Sequence, residues 1–303
     1  VAIDFYVNET TRHADVILPP TSPLERDHYD IVFHILAVRD TARWSPALFT
    51  PAPGAKHDWE IARDLGTALL RARGGGLKAR WSRATLETEA RLRLSPRRQL
   101  DALLRSSGAR LSVAKLEKTV AGADHGPLKP RLPERLFTPE KRIDLLPTVV
   151  AEALPTLLTA LSAGPTLADG ELLLIGRRHQ RDNNSWLHNS TRLTRGRARH
   201  ALMAHPDDLA ARGIRGGDVV TVRSAVGEVR VEVEATDDLM PGVVSLPHGY
   251  GHARDGVRLR NAVEVPGVSM NDLTDPSVVE SVSGNAVLNG VPVTVAPVTD
   301  GPA

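Results

Sequence analysis

The sequence contains no cysteine. That excludes disulfides, iron–sulfur ligation and thiolate metal sites within the chain. Aromatic residues make up only 4% of it, so a surface that stacks nucleic-acid bases has little to work with. No apolar run is long enough to span a bilayer. No Gly-x-Ser-x-Gly elbow appears, which removes the usual signature of a Ser/His/Asp hydrolase. A large charge of one sign is missing too, the formal net charge being +2. No internal repeat is evident. Against these absences, 303 residues that are 41% hydrophobic suffice for one large or two ordinary domains with buried cores. Val1 opens the chain in mid-pattern, and the expectation is a piece of a longer protein.

The small net charge hides an uneven distribution. Between residues 71 and 110 lie Arg71, Arg73, Arg80, Arg83, Arg91, Arg93, Arg97, Arg98, Arg105 and Arg110, with few acids among them. Such a stretch can serve a nucleic-acid-binding protein. It equally describes the solvated or subunit-facing side of amphipathic helices, which is the expectation here. His13, His28 and His34 match no compact ligand spacing and read as polar loop residues, so no metal ligand is assigned.

What the sequence does have is concentrated in residues 172–192. Leu172–Ile175 reads as a buried strand that ends at Gly176. Arg177, Arg178, Gln180, Arg181, Asn183, Asn184, Ser185, Trp186, His188 and Asn189 follow. Arginine presents a planar fork of donors to phosphate, Asn and Ser give directed hydrogen bonds, and Trp gives a flat apolar face. Together they suit a ligand with phosphates and a flat heterocycle. A solvated loop with an arginine rim has the same composition.

In chain order, residues 1–7 and 14–20 read as strands separated by a polar loop, the second closed by prolines. Asp58 is a good N-cap for a helix running to about residue 73, which Gly74–Gly76 would end. Residues 80–125 read as two amphipathic helices, 126–148 as a Pro-punctuated irregular stretch, and 149–162 as a short helix. The linker at 166–170 divides domains 1–165 and 171–303. Beyond it come a short helix at 205–213 and strands at 219–222, 228–235, 240–247 and 291–298. His248-Gly249-Tyr250-Gly251-His252 is a glycine turn that lets backbone approach a ligand, with His248 a candidate hydrogen-bond partner and His252 equally suited to the surface.

Several of these segments match one known pattern. The strand into Gly176-Arg177 and then Ser185-Trp186-Leu187-His188-Asn189 resembles the opening of the C-terminal domain of molybdopterin-dependent oxidoreductases, such as formate dehydrogenase and nitrate reductase catalytic subunits. Asp4, Thr11, Asp15, Pro19 and Glu25 stand where that family has an Asp at a strand end, a Thr-rich turn, an Ala-Asp-Val-Ile-Leu-Pro strand and a Glu. The run from His205 through Gly217-Asp218 resembles the turn of a double-psi β-barrel, and Asn271-Asp272-Leu273-Thr274 the family's Asn-x-Leu-Thr element.

The resemblance implies an α/β tail of an open parallel sheet followed by a double-psi β-barrel. It implies a bis-molybdopterin guanine dinucleotide cofactor with Mo or W, and a two-electron reaction of a small substrate. Gly176, Arg177, Arg178, Asn184, Ser185, Trp186, His188 and Asn189 would cradle one dinucleotide, with His248, Gly249 and Asn271 closing over it. Asp4, Thr11, Arg26 and Asp58 would contact the other, while Asp15 holds a loop. Asn285 stands where relatives carry a Lys. The metal-ligating residue and a 4Fe-4S cluster would lie in an N-terminal half outside this chain, so catalytic residues are not assigned. The implied partners are that half, or a complementary subunit, and an electron-transfer subunit. A cytoplasmic location, no nucleic-acid partner and no membrane span complete the expectation. Residues 27–40 depart from the family's Gly-Arg-x-Gln pattern and leave the substrate unread. A non-catalytic barrel that binds or assembles is the alternative of another class.

Overall fold

The structure, a computed structural model, describes residues 1–72, 90, 94–164 and 166–298. It divides into two compact units. The first holds Val1–Phe5 and Ala14–Arg142, the second Tyr6–His13 and Ile143–Ala303.

In the first unit, β1 (Ala2–Ile3) pairs in parallel with β2 (Ile17–Leu18). Both are far shorter than the expected strands, because Pro19 and Pro20 cannot extend the ladder. Only this parallel pair represents the expected open sheet among the described residues. β3 (Arg39–Ala42) and β4 (Ala123–Pro127) form an antiparallel pair. A strand therefore stands where the end of a helix is expected from the sequence, placed by pairing from 85 residues away that local periodicity cannot report.

α1 (Asp58–Ala72) fills the span anticipated for it. Asp58 is its first helical residue and not its cap. The carboxylate of Glu60 instead accepts the His57 N–H at 2.9 Å. α2 (Pro96–Ser106) and α3 (Val113–Glu117) start at Ser95 and Ser112, whose hydroxyls accept from Arg98 N–H and Lys115 N–H. Leu100, Leu104, Val113 and Leu116 pack with Ala42 and Trp44 in a small core. The glycines expected to end α1 and most of the expected helix at 80–94 lie outside the described residues, as do Arg73, Arg80, Arg83, Arg91 and Arg93. Of the others, Arg97 pairs with Glu117 at 2.7 Å and Arg105 with Asp101 at 2.6 Å, so these charges are locally neutralised.

In the second unit, α4 (Thr148–Ala163) is the anticipated short helix, and it buries none of its residues. The rest is built on a closed barrel in the order β10-β5-β9-β6-β8-β7. The strands are β5 (Leu172–Arg177), β6 (Leu202–Ala204), β7 (Val219–Arg223), β8 (Glu228–Ala235), β9 (Val243–Pro247) and β10 (Val291–Pro297). β5 runs parallel to β9, and β6 parallel to β8, while the remaining neighbours are antiparallel. β8 shows why the sequence folds so. Val229, Val231 and Val233 point inward while Glu228, Arg230 and Glu232 point out, a strict period of two. Leu174, Leu202, Val220, Val222, Val244, Leu246 and Val293 complete a core with no measurable exposure.

The expected turn at Gly217-Asp218 is structural, with Asp218 Oδ2 accepting Arg215 N–H at 2.8 Å. α5 (Pro206–Ala210) leaves Asp208 to accept Gly242 N–H at 2.7 Å, which anchors the start of β9. No helix among the described residues is long and apolar enough to cross a membrane.

Candidate functional site

The loop after β5 bends sharply at Asn183 and Asn184, with φ of 43° and 62°. Asparagine tolerates this left-handed region better than most residues. The bend carries the chain under the turn that follows β9. There Gly249 (φ 94°) sits so close that a Cβ would lie 2.2 Å from the Asn184 carbonyl oxygen. Beside this crossing opens a cavity of about 330 Å³. Asn184, Ser185, His248, Gly249 and Asn271, all anticipated as ligand contacts, line it together. Glu9, Tyr250 and Arg254 line it as well and were not anticipated. Arg254 is fixed there by both carboxylate oxygens of Asp272, Oδ2 at 2.6 Å. Arg178 is not among the lining residues, but it donates to Asn184 Oδ1 at 2.8 Å.

The other anticipated residues have different places. The Arg177 guanidinium turns back across the barrel and donates to Ser245 O at 2.9 Å and Ala201 O at 3.0 Å, joining β9 to the segment before β6. Burial lowers its pKa, partly offset by the fields of Glu234, Tyr250 and Asp182. Gly176 packs against Met270 and donates its N–H to Asn289 Oδ1 at 2.7 Å. Asn189 clamps the residue 261 turn, accepting from Asn261 N–H at 2.8 Å. Thr11 is buried and donates to Tyr6 O at 2.7 Å. Trp186 is 70% exposed, and Asn285 is exposed on a turn. Asp4 is half-buried. Arg26 and Asp58, named separately from the sequence, form an ion pair. Asp58 Oδ1 is buried without a hydrogen-bond partner, an acceptor still available to a donor.

Behind the cavity lies a buried polar chain that includes His188, named from the sequence as a ligand contact; Asp182 and the link to Glu9 were not anticipated. Asp182, His188 and His252 are 2–3% exposed. His252, equally suited to the surface on sequence grounds, is thus an interior residue. Its Nδ1 lies 2.7 Å from Glu9 Oε1 and its Nε2 lies 2.8 Å from His188 Nδ1. His188 Nε2 is 3.4 Å from Asp182 Oδ1, which also accepts from Arg199 at 2.9 Å. The Tyr250 ring lies between the His188 ring, with centroids 4.1 Å apart, and the His200 ring, at 4.6 Å, tilted against both. Burial raises the Tyr250 pKa, helped by Asp182. The one sequence signal for this cluster is an acid, Asp182, inside an otherwise Arg- and Asn-rich loop.

Burial also lowers the pKa of His188 and of His200, in His200 against a smaller opposing hydrogen bond to Val268. His200 Nε2 lies 3.0 Å from Val268 N and 3.2 Å from Val268 O, and the ring tautomer sets which of the two it pairs with. A histidine with a depressed folded pKa binds fewer protons when folded than when unfolded. Its contribution is therefore intact above the unfolded value near 6.5 and is lost as pH falls below it. Stability is therefore expected to fall as pH drops from about 7.5 to about 5.5. His200→Gln is expected to unfold in urea with a correspondingly smaller loss over that interval. Equal pH slopes for the two proteins would sink the assignment.

Residues 172–292 match the family of the molydopterin dinucleotide binding domain. The assimilatory nitrate reductase catalytic subunit of Bacillus subtilis is 43% identical over 75 residues, covering 24% of this chain and 10% of the relative. A tetrathionate reductase subunit of Salmonella typhimurium is 31% identical over 105 residues, 29% of this chain and 10% of the relative. The dimethyl sulfoxide/trimethylamine N-oxide reductase of Rhodobacter capsulatus is 47% identical over 47 residues, 16% of this chain and 6% of the relative. These matches thus span a tenth or less of each relative's length. Acetylene hydratase from Pelobacter acetylenicus has a like fold, with a TM-score of 0.61 at 14% identity, covering 93% of this chain and 38% of that one. The barrel region, residues 172–292, is thus a molydopterin dinucleotide binding domain, and segments of the chain are similar to parts of molybdopterin oxidoreductases.

Proposed function

We propose that the Gly249 cavity holds one molybdopterin guanine dinucleotide of a bis-dinucleotide Mo or W cofactor, in a formate dehydrogenase- or nitrate reductase-like oxidoreductase. The observation that carries this reading is the convergence of Asn184, Ser185, His248, Gly249 and Asn271 on one cavity. The donor set fits such a ligand. Ser185 and Asn271 offer neutral directed hydrogen bonds, Arg178 a guanidinium, and Glu9 a carboxylate for ring or ribose donors. The cavity has room for the nucleotide end and not for the whole ligand. The bound group would supply the metal that exchanges two electrons with a small substrate, while this chain binds and orients it.

On this reading Asp4, Arg26 and Asp58 serve the second dinucleotide, supported by the unpartnered Oδ1 of Asp58. Residues 171–303 are the dinucleotide-binding domain and 1–165 the tail of the α/β domain. The two parallel strand pairs inside the closed barrel support a double-psi connection. The metal ligand and any 4Fe-4S cluster belong to an N-terminal half or complementary subunit, and the further partner is an electron-transfer subunit. The test is metal and pterin analysis of the protein purified from its source. Mo or W with about two pterins per metal is the expected result, following from the bis-dinucleotide assignment. Absence of both metal and pterin would favour a non-catalytic barrel that binds or assembles.

A further inference from the structure

The buried chain behind the Gly249 cavity has more contacts than two neutral histidines have protons. Three stand in line: Glu9 Oε1 to His252 Nδ1 at 2.7 Å, His252 Nε2 to His188 Nδ1 at 2.8 Å, and His188 Nε2 to Asp182 Oδ1 at 3.4 Å. Both ends are carboxylates, which accept and do not donate. Asp182 also takes the Arg199 guanidinium at 2.9 Å, a pairing made with the carboxylate form. Each contact therefore needs its own proton on a ring nitrogen. Two neutral imidazoles carry one proton each and leave one contact with a bare lone pair facing an acceptor. Both rings are buried, and Asp182 is the acceptor that faces His188 Nε2, so such a clash has no outlet. The charges give the same count. The groups facing the two rings are Glu9 from residues 6–13, Asp182 from the loop after β5, Arg199 from the segment before β6, and Tyr250 from the turn after β9. His200 stands across the Tyr250 ring, with the field of Arg177 on it. Two carboxylates against one guanidinium leave a negative charge unmatched beside the pair.

We propose that His188 and His252 together hold three ring protons at neutral pH, the extra one on His252, and that this imidazolium fixes and neutralises Glu9 in the wall of the Gly249 cavity. His252 is the better seat for the charge. Its Nδ1 meets a carboxylate at 2.7 Å, whereas His188 meets one only at 3.4 Å. Burial above all, and Arg199 to a smaller extent, also disfavour a charge on His188. His252 is thus a positioning residue. It engages Glu9 Oε1 and leaves Oε2 to accept from what enters the cavity. Loss of the third proton breaks one of the three contacts and adds a negative charge beside the cavity wall, which disfavours a phosphate-bearing ligand. That last consequence rests on the function proposed above, and the proton count does not.

The experiment is long-range proton–nitrogen correlation of the histidine ring nitrogens in the full chain, followed from acid to alkaline pH. At neutral pH His252 is expected to show both nitrogens protonated, and His188 a proton on Nε2 alone. On raising the pH both rings are expected to change together at one midpoint, because the proton belongs to the pair. Glu9→Gln replaces a partly exposed carboxylate and keeps the side-chain shape. It is expected to lower that midpoint by about one pH unit, the effect of losing one adjacent opposite charge. Glu228→Gln removes an acid on the outer face of the barrel, paired with Arg223, and is expected to leave the midpoint in place. A His252 ring with one bare nitrogen at neutral pH would overturn the proposal. So would a midpoint that Glu9→Gln leaves where it is, or that Glu228→Gln lowers equally. The wild-type spectrum needs no variant to fold. No nucleotide enters any of these readings, so a failure here and a failure of the dinucleotide assignment are told apart.

Discussion

Gly249→Ala is expected to destabilise the second unit by about 3 kcal/mol, from overpacking added to a strained backbone angle. Two independent penalties act at this residue. Its φ of 94° lies where an L side chain is rarely found. A Cβ would also sit 2.2 Å from the Asn184 carbonyl oxygen, 2.6 Å from the Asn184 carbonyl carbon and 3.1 Å from Ser185 N. All three are backbone atoms, so no rotamer change relieves the contact and the whole Asn183–Ser185 bend must shift. Gly290→Ala is the matched control. Its φ is 74° but a Cβ there meets open space, so only the angle is penalised, about 1 kcal/mol. Urea unfolding of the two variants checks the difference. Losses within about 1 kcal/mol of one another would mean the crossing is not the tight contact described.

Asp182→Asn is expected to cost about 3 kcal/mol, because it leaves the Arg199 charge without its buried counter-ion. Asp182 is 2% exposed and is the one ion-pair partner of the Arg199 guanidinium among the described residues. The same oxygen faces His188 Nε2, so the substitution also disturbs the path through His252 to Glu9. A double-mutant cycle with Arg199→Gln separates the two effects. Coupling above about 1.5 kcal/mol is expected for a pair in direct buried contact. Additive losses would show that the pair is not the element holding this loop.

The barrel is legible in the sequence where burial imposes a period of two. Val229, Val231 and Val233 alternate with charged neighbours, and β8 runs over the residues expected of it. The linker-flanked helix at 148–163 is legible for a different reason, a helical run with a glycine stop at Gly164. The extents of β1 and β2 and the presence of β4 are not legible. β1 and β2 are cut to two residues each, β2 by the prolines that follow it, and β4 is placed by pairing with a strand 85 residues away.

The candidate site divides in the same way. Asn184, Ser185, His248, Gly249 and Asn271 are named from the sequence, Asn271 through its Asn-x-Leu-Thr resemblance, and the fold brings them to the wall of one cavity. The chemistry of Arg177 suggests phosphate, yet a donor fork suits backbone carbonyls too, and in the barrel it holds Ser245 and Ala201. The Glu9–His252 contact cannot be read at all, since the partners stand 243 residues apart. His252 has the sequence surroundings of a turn residue, and only the fold shows that its turn is folded inward.

The most direct test of the central claim is an amide-resolved NMR titration of the chain with GMP, the nucleotide end of the proposed ligand. Shifts concentrated at Asn184, Ser185, Gly249 and Asn271, with an affinity that Asn271→Ala weakens about fivefold as expected for one lost neutral hydrogen bond, are the predicted result. Saturable binding with its shifts confined to other surfaces, or no shift at these four residues, would contradict the account.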